Sequence, residues 1–208
     1  MPRASKEQAE AHRRLVIENS AKLIRERGID GVSVADLMES AGLTHGGFYG
    51  HFDSKEQLVT EAFLHAFEAS VERWNHRVAG GLTAADGFRA LVEAYMTARN
   101  RDNPGTSCPA PALMSDVARE PASSAVRATY RDGVKQLLAI MQATQVDDDP
   151  QVARRHALAQ FAMMVGSVAL ARATAGDPLS DEFLGSVRET LLETPKAQGS
   201  PVPRRRRH

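Results

Sequence analysis

The 208-residue chain has one cysteine, Cys108, one tryptophan and only 5% aromatic residues. A lone thiol excludes an internal disulfide framework and suits a reducing compartment. No run of about 18 apolar residues is present, which excludes a helical membrane span. The opening MPRASKEQAEAHRRL is polar and lacks the apolar stretch of a secretion signal, so a cytoplasmic location is expected. Period-two alternation of β-branched and aromatic residues is missing, which argues against a sheet. HExxH, GxSxG, P-loop and CxxC strings are absent and the seven histidines are scattered, so no enzyme activity, metal site or cofactor is expected. Net charge is lacking too, with 26 basic and 26 acidic residues. That balance counts against a globally basic nucleic-acid binder. Lys196 and Arg204–Arg207 give residues 195–208 a charge of +5, leaving −5 on the rest. Any affinity for DNA must come from locally placed groups.

Hydrophobic residues make up 42% of the chain, enough for a core, and they recur at three- and four-residue intervals. The expected fold is all-α, with about nine helices. Ser5-x-x-Gln8 is a capping box that would open the first helix, and Gly28 would stop it. Ser33 can cap a short helix VADLMESA, which Gly42 breaks. Thr44 can cap the next, HGGFYGHF, and Ser54-x-x-Gln57 can open a long helix running to Gly80–Gly81. Thr83-x-x-Asp86 starts another that fades near residues 100–105. NPGTSCPAP reads as a loop, with Pro109 and Pro111 at the threshold of a short helix. Further helices are expected to about Val146, over 151–175, and from Asp177–Pro178 to before Pro195. The basic tail 195–208 has no apolar face and is expected to be disordered.

Three short helices followed by a long one, with a tight Ala41–Gly42–Leu43 turn, is the grammar of a helix-turn-helix. Glycine admits the left-handed backbone of such a turn. The third helix would then enter the major groove by its N-terminal end. The stretch GIDGVSVADLMESAGLTHGGFYGHFDSKEQL resembles the N-terminal signature of the TetR family of bacterial repressors, above all in Phe48-Tyr49-Gly50-His51-Phe52 and Ser54-Lys55-Glu56-Gln57-Leu58.

The resemblance covers about residues 6–65 and implies roles residue by residue. Thr44 and His45 would touch bases and phosphates at the start of the recognition helix. Tyr49, His51 and Lys55 would donate to phosphate oxygens, which suits a helix N-terminus with free amides. Ser33 is a helix cap that would lie near a phosphate. Tyr49 as a core aromatic and Lys55 as a solvated surface charge are the alternatives. Gly46 and Gly47 depart from the usual pattern and weaken the helix by about 1 kcal/mol each relative to alanine. Operator choice would then depend on close backbone approach and DNA shape. The sequence divides into a DNA-binding domain at 1–52, with a linking helix to about 60, and a helical effector-binding and dimerisation domain at 53–194.

The implied activity is that of a ligand-responsive repressor binding a palindromic operator as a homodimer, released by a mainly apolar or electrophilic effector. The alternative is a helical small-molecule-binding protein or enzyme with no DNA role. For the effector, Trp74, Phe88, Tyr95, Met96, Met114, Tyr130, Phe161 and Met164 could line a cavity, each also readable as ordinary core. Cys108 stands before a helix whose amides would favour its thiolate. GTSCPAPAL resembles a cysteine-bearing loop of electrophile-sensing family members, against the reading of a small inert side chain. Ala162, Gly166, Ala169 and Ala173, with Phe183, Val187 and Leu191, are candidates for a four-helix dimer interface, or else pack within the subunit. The arginine run is a solvated tail or adds salt-sensitive DNA affinity.

Overall fold

The computed structural model describes residues 2–193; the tail at 195–208, and every expectation placed on it, lies outside the described residues. Among the described residues there are nine α-helices and one 3-10 helix, and no strand. They run as α1 (Pro2–Arg27), α2 (Val34–Glu39), the 3-10 helix (His45–Gly50), α3 (Lys55–Ala79), α4 (Ala84–Tyr95), α5 (Ala98–Asp102), α6 (Pro109–Arg119), α7 (Ala125–Ala143), α8 (Pro150–Ala173) and α9 (Leu179–Leu192).

Most boundaries follow from local chemistry. Ser33 and Thr83 each accept the amide three residues on, from Asp36 and Asp86, whose carboxylates accept the cap residue's own amide in return. These are reciprocal capping boxes. Ser54 accepts from Gln57 N at 3.1 Å, but the Gln57 side chain reaches one residue further back, to Asp53 N at 2.7 Å. Gly28 and Gly42 have φ of +79° and +71°, ending α1 and forming the helix-turn-helix corner.

Three expectations are corrected. Helix α1 begins at Pro2, before the Ser5 box, because proline fits the first turn, where no backbone amide is needed. The recognition segment is a 3-10 helix ending at Gly50, and Thr44 stands at its N-cap without a side-chain cap bond. Two adjacent glycines do not hold a longer α-helix. The helix begun at Thr83 stops at Tyr95, where Met96 leaves the helical region, and Thr97 caps the separate α5 by accepting Asn100 N.

Two clusters of buried side chains run along α3. One joins Val16, Ile24, Leu37, Met38, Phe48 and Phe52 to Leu58, Phe63, Leu113 and Val117. The other surrounds Phe67, Trp74, Leu91, Tyr95, Leu137, Met141, Met164 and Val168. Helices α3 and α7 approach closely at Gly133, where a Cβ would stand 2.2 Å from the Phe67 ring. Only glycine leaves room for that ring.

Candidate nucleic-acid interface and body cavity

Burial divides the aromatic residues of the recognition segment cleanly. Phe48 is 1% exposed and Phe52 2%, whereas the adjoining Tyr49 is 76% exposed. A six-residue 3-10 helix with one buried anchor presents its remaining side chains outward. Thr44, His45, Gly46 and Gly47 are exposed with Tyr49, and His51 is half-buried. Tyr49 is therefore not core; its ring rests edge-on against Phe48 at 5.2 Å and its hydroxyl faces solvent.

Below this tip, Arg13 of α1 ties the segment down. Its guanidinium lies 4.8 Å over the Phe52 ring, donates to the His51 carbonyl at 3.3 Å and pairs with Glu61. The tip is thus held by α1 and α3 together. Ser33 is committed to its cap, since its hydroxyl both accepts from Asp36 N and donates to the Asp36 carboxylate. Lys55 is half-buried, and its ammonium donates to the Ile29 carbonyl at 2.8 Å. It is not a free surface charge. Two of its protons remain, at the N-terminus of α3, where the amides of Lys55 and Glu56 precede the helical ladder.

Ile29 is held by both of its backbone polar groups. While Lys55 holds its carbonyl, Asp116 of α6 accepts its amide at 3.1 Å, and the other oxygen of Asp116 pairs with Arg119. This links the turn between α1 and α2 to a helix of the body.

A cavity of about 440 Å³ lies in the body among α3, α4 and the loop leading into α6. Trp74, Tyr95 and Cys108 meet there, as the sequence suggests. The other proposed lining residues do not gather with them. Met96 and Met164 are buried core, and Phe161 packs on the Trp74 ring with centroids 6.1 Å apart. Phe88 is partly buried against the same core. Met114 and Tyr130 share a different groove, on the far side of α6, where the Tyr130 hydroxyl donates to the Ala110 carbonyl.

The lining is not mainly apolar. Ser70, Arg73, Arg77, Thr97, Arg99 and Asn100 share the wall with Trp74. The sequence carried a signal: Ser70, Arg73, Trp74 and Arg77 fall at i, i+3, i+4 and i+7 of α3, on one helix face. Beside the cavity, Arg25 donates to the Ser107 and Gly105 carbonyls, and Arg172 donates to the Arg101 and Asn100 carbonyls and to Ser107 Oγ. Burial, with Arg73 nearby, pulls Arg25 down to about 10, and burial also lowers Arg73 and Arg172.

Cys108 is the N-cap of α6 and fully enclosed, and burial pushes its thiol above the ordinary range despite the Ala110 amide facing it. A thiolate favoured by the helix amides is thus overturned, because desolvation outweighs them.

On the dimer candidates, α8 and α9 differ. Ala162 and Ala173 are exposed and a Cβ on Gly166 would meet nothing within 4 Å. Ala169 is half-buried, and Leu158 and Leu170 extend the same uncovered face. Phe183, Val187 and Leu191 are half-buried, packed against the body core. Among the described residues, no group of three or more His, Cys, Asp or Glu side chains is placed to hold a metal, and no helix is long and apolar enough to cross a membrane.

Residues 16–62 match the family described as bacterial regulatory proteins, tetR family. The HTH-type transcriptional repressor KstR2 of Rhodococcus jostii is 31% identical over 133 residues, 64% of this chain. The chain spans 55% of that relative's length. The HTH-type transcriptional regulator TtgR of Pseudomonas putida is 39% identical over 59 residues, 28% of each chain. Among solved structures, a TetR transcriptional regulator from Chloroflexus aurantiacus superposes with a TM-score of 0.74 at 25% identity, covering 89% of this chain and 94% of its own. The reduced form of NemR from E. coli gives 0.73 at 18% identity, covering 87% and 95%.

Proposed function

The chain belongs to the TetR family of bacterial regulatory proteins, and on that premise we propose that it is a ligand-responsive transcriptional repressor that grips operator DNA as a homodimer. The observation that carries the reading is the exposed, anchored tip: Tyr49, Thr44, His45 and the two glycines project from a buried Phe48. The start of α3 lies four residues beyond the half-buried His51. Phosphate oxygens would take hydrogen bonds from Tyr49, His51, Lys55 and the leading amides of α3, fixing position on the duplex. Gly46 and Gly47 would let the backbone approach the groove wall. Ser33, spent on its cap, contributes its place near the phosphates and not its hydroxyl.

An acidic body is compatible with this, because the contacts depend on oriented donors and not on net charge. The head and the body share one buried cluster across residue 52, with α3 as the common strut. Working on operator DNA places the protein in the cytoplasm. Two copies would meet along the uncovered face of α8, at Leu158, Ala162, Gly166 and Ala173, giving two tips per molecule for a palindrome.

Release would run through α6. That helix starts at the cavity wall with Cys108 and ends at the turn of the head, where Asp116 holds the Ile29 amide. A ligand that shifts the start of α6 would therefore act on Ile29, whose carbonyl Lys55 also holds. The test is selection of duplexes from a random pool by the full chain. Enrichment of a palindrome that the Tyr49→Ala chain fails to enrich supports the reading; equal, sequence-blind retention of all duplexes contradicts it.

A further inference from the structure

We propose that the body cavity takes an anionic effector, a molecule with a carboxylate or phosphate head and a short apolar arm. Arg73, Arg77 and Arg99 line the cavity, and no aspartate or glutamate does. Among the described residues, no acid lies within ion-pair distance of any of them, nor of Arg25 or Arg172 beside them.

A set of guanidinium groups facing one cavity without a paired acid costs stability, since like charges repel and Arg73 is also partly desolvated. The arrangement persists when it serves an anion that supplies the missing charge on binding. A second observation agrees. Arg25 Nε and Arg172 Nη1 are buried and find no acceptor, although the remaining nitrogens of Arg25 are bonded to the loop before α6 and those of Arg172 to α5 and that loop. Buried donors without acceptors are rare in folded chains, and two on neighbouring arginines mark a place for oxygen ligands. The lowered affinity of Arg25, Arg73 and Arg172 for their protons reports the same strain.

Two aromatic residues set the arm. Trp74 packs edge-on to Tyr95 with ring centroids 5.7 Å apart, and both border the cavity with Ala94. Forked guanidinium donors match planar carboxylate and tetrahedral phosphate oxygens alike. The cavity lies at the small end of ligand sites, which fits a short arm.

This deepens the effector part of the function proposed above, but it is read without DNA, so its failure and the failure of operator binding are separate results. Trp74 is the only tryptophan, so its emission reports the cavity directly. The full chain is titrated with octanoate, octyl phosphate, inorganic pyrophosphate and the uncharged octanamide. A saturable change with octanoate or octyl phosphate that weakens with added salt, and none with octanamide, supports the proposal; the stronger of the two anions identifies the head group. Arg73→Gln and Arg99→Gln are expected to weaken binding about tenfold, and Lys135→Gln on exposed α7 surface not at all. If Arg73→Gln does not fold, Arg99→Gln, which is exposed, decides. Equal response to octanamide and octanoate, no saturable response to any anion, or undiminished binding by the folded lining variants overturns it.

Discussion

Asp116 of α6 accepts the backbone amide of Ile29 at 3.1 Å, across 87 residues of sequence. The acceptor is largely shielded, with its side chain 15% exposed. It is the polar tether between the body and the turn that carries the DNA-facing head. A charge-assisted bond of this kind contributes about 1.5 kcal/mol, so Asp116→Ala is expected to speed hydrogen exchange at the Ile29 amide about tenfold. Site-resolved exchange followed by NMR reads this directly. An unchanged rate would show that the amide is protected by something else.

Phe48 and Tyr49 are neighbours with opposite assignments, and substitution separates them. Phe48→Ala removes a buried ring and is expected to cost about 3–5 kcal/mol, seen as a fall in the denaturation midpoint. Tyr49→Ala leaves stability within about 0.5 kcal/mol and lowers affinity for the selected duplex. Loss of stability in both variants would mean that the tip is part of the core.

The two glycines can be filled without collision. A Cβ at Gly46 meets nothing, and one at Gly47 meets the Met38 methyl at an ordinary 3.7 Å. Neither has positive φ, so alanine stiffens the unfolded chain at no steric cost. Gly47→Ala is expected to raise stability by about 0.4–1 kcal/mol while weakening operator affinity, because the added methyl lies on the surface offered to DNA. Unchanged affinity and selectivity in a binding titration would remove the backbone-approach idea.

Cys108 is expected to be slow to react. Burial raises its thiol pKa, so the protonated form persists at neutral pH. The thiolate becomes populated only as pH climbs above the ordinary thiol range, and alkylation by iodoacetamide at pH 7.5 should be much slower than in denaturant. Mass spectrometry over time measures both rates. Equal rates would restore an accessible, sensing thiol.

Short-range chemistry made the fold readable. Caps at Ser33, Ser54 and Thr83, the glycine stops at 28 and 42, and the prolines before α6 and α8 all act within a few residues of themselves. The DNA-facing tip was legible because the signature is contiguous. The cavity was not, because its wall is assembled from α3, α4 and the α6 entry loop, separated by tens of residues. Trp74, Tyr95 and Cys108 were found as large or reactive groups. Met96 and Met164 misled because an unbranched apolar side chain looks the same in a core and in a binding site. Arg73 and Arg77 carried no motif that singles them out, although they share a face with Ser70 and Trp74. Asp116 gave no sequence signal, since its partner is a backbone amide 87 residues away. On α9, the stripe of Phe183, Val187 and Leu191 suits an inner or an outer face equally, and in one chain it is half-buried against the body core.

The central claim is that paired, outward tips hold one duplex between two copies of this chain. Sedimentation analysis of the full chain with a selected palindromic duplex tests it most directly. Two chains per duplex, lost when Tyr49 and Lys55 are both changed to alanine while the protein stays folded, is the predicted result. A single chain per duplex, or undiminished binding by that double variant, would contradict it.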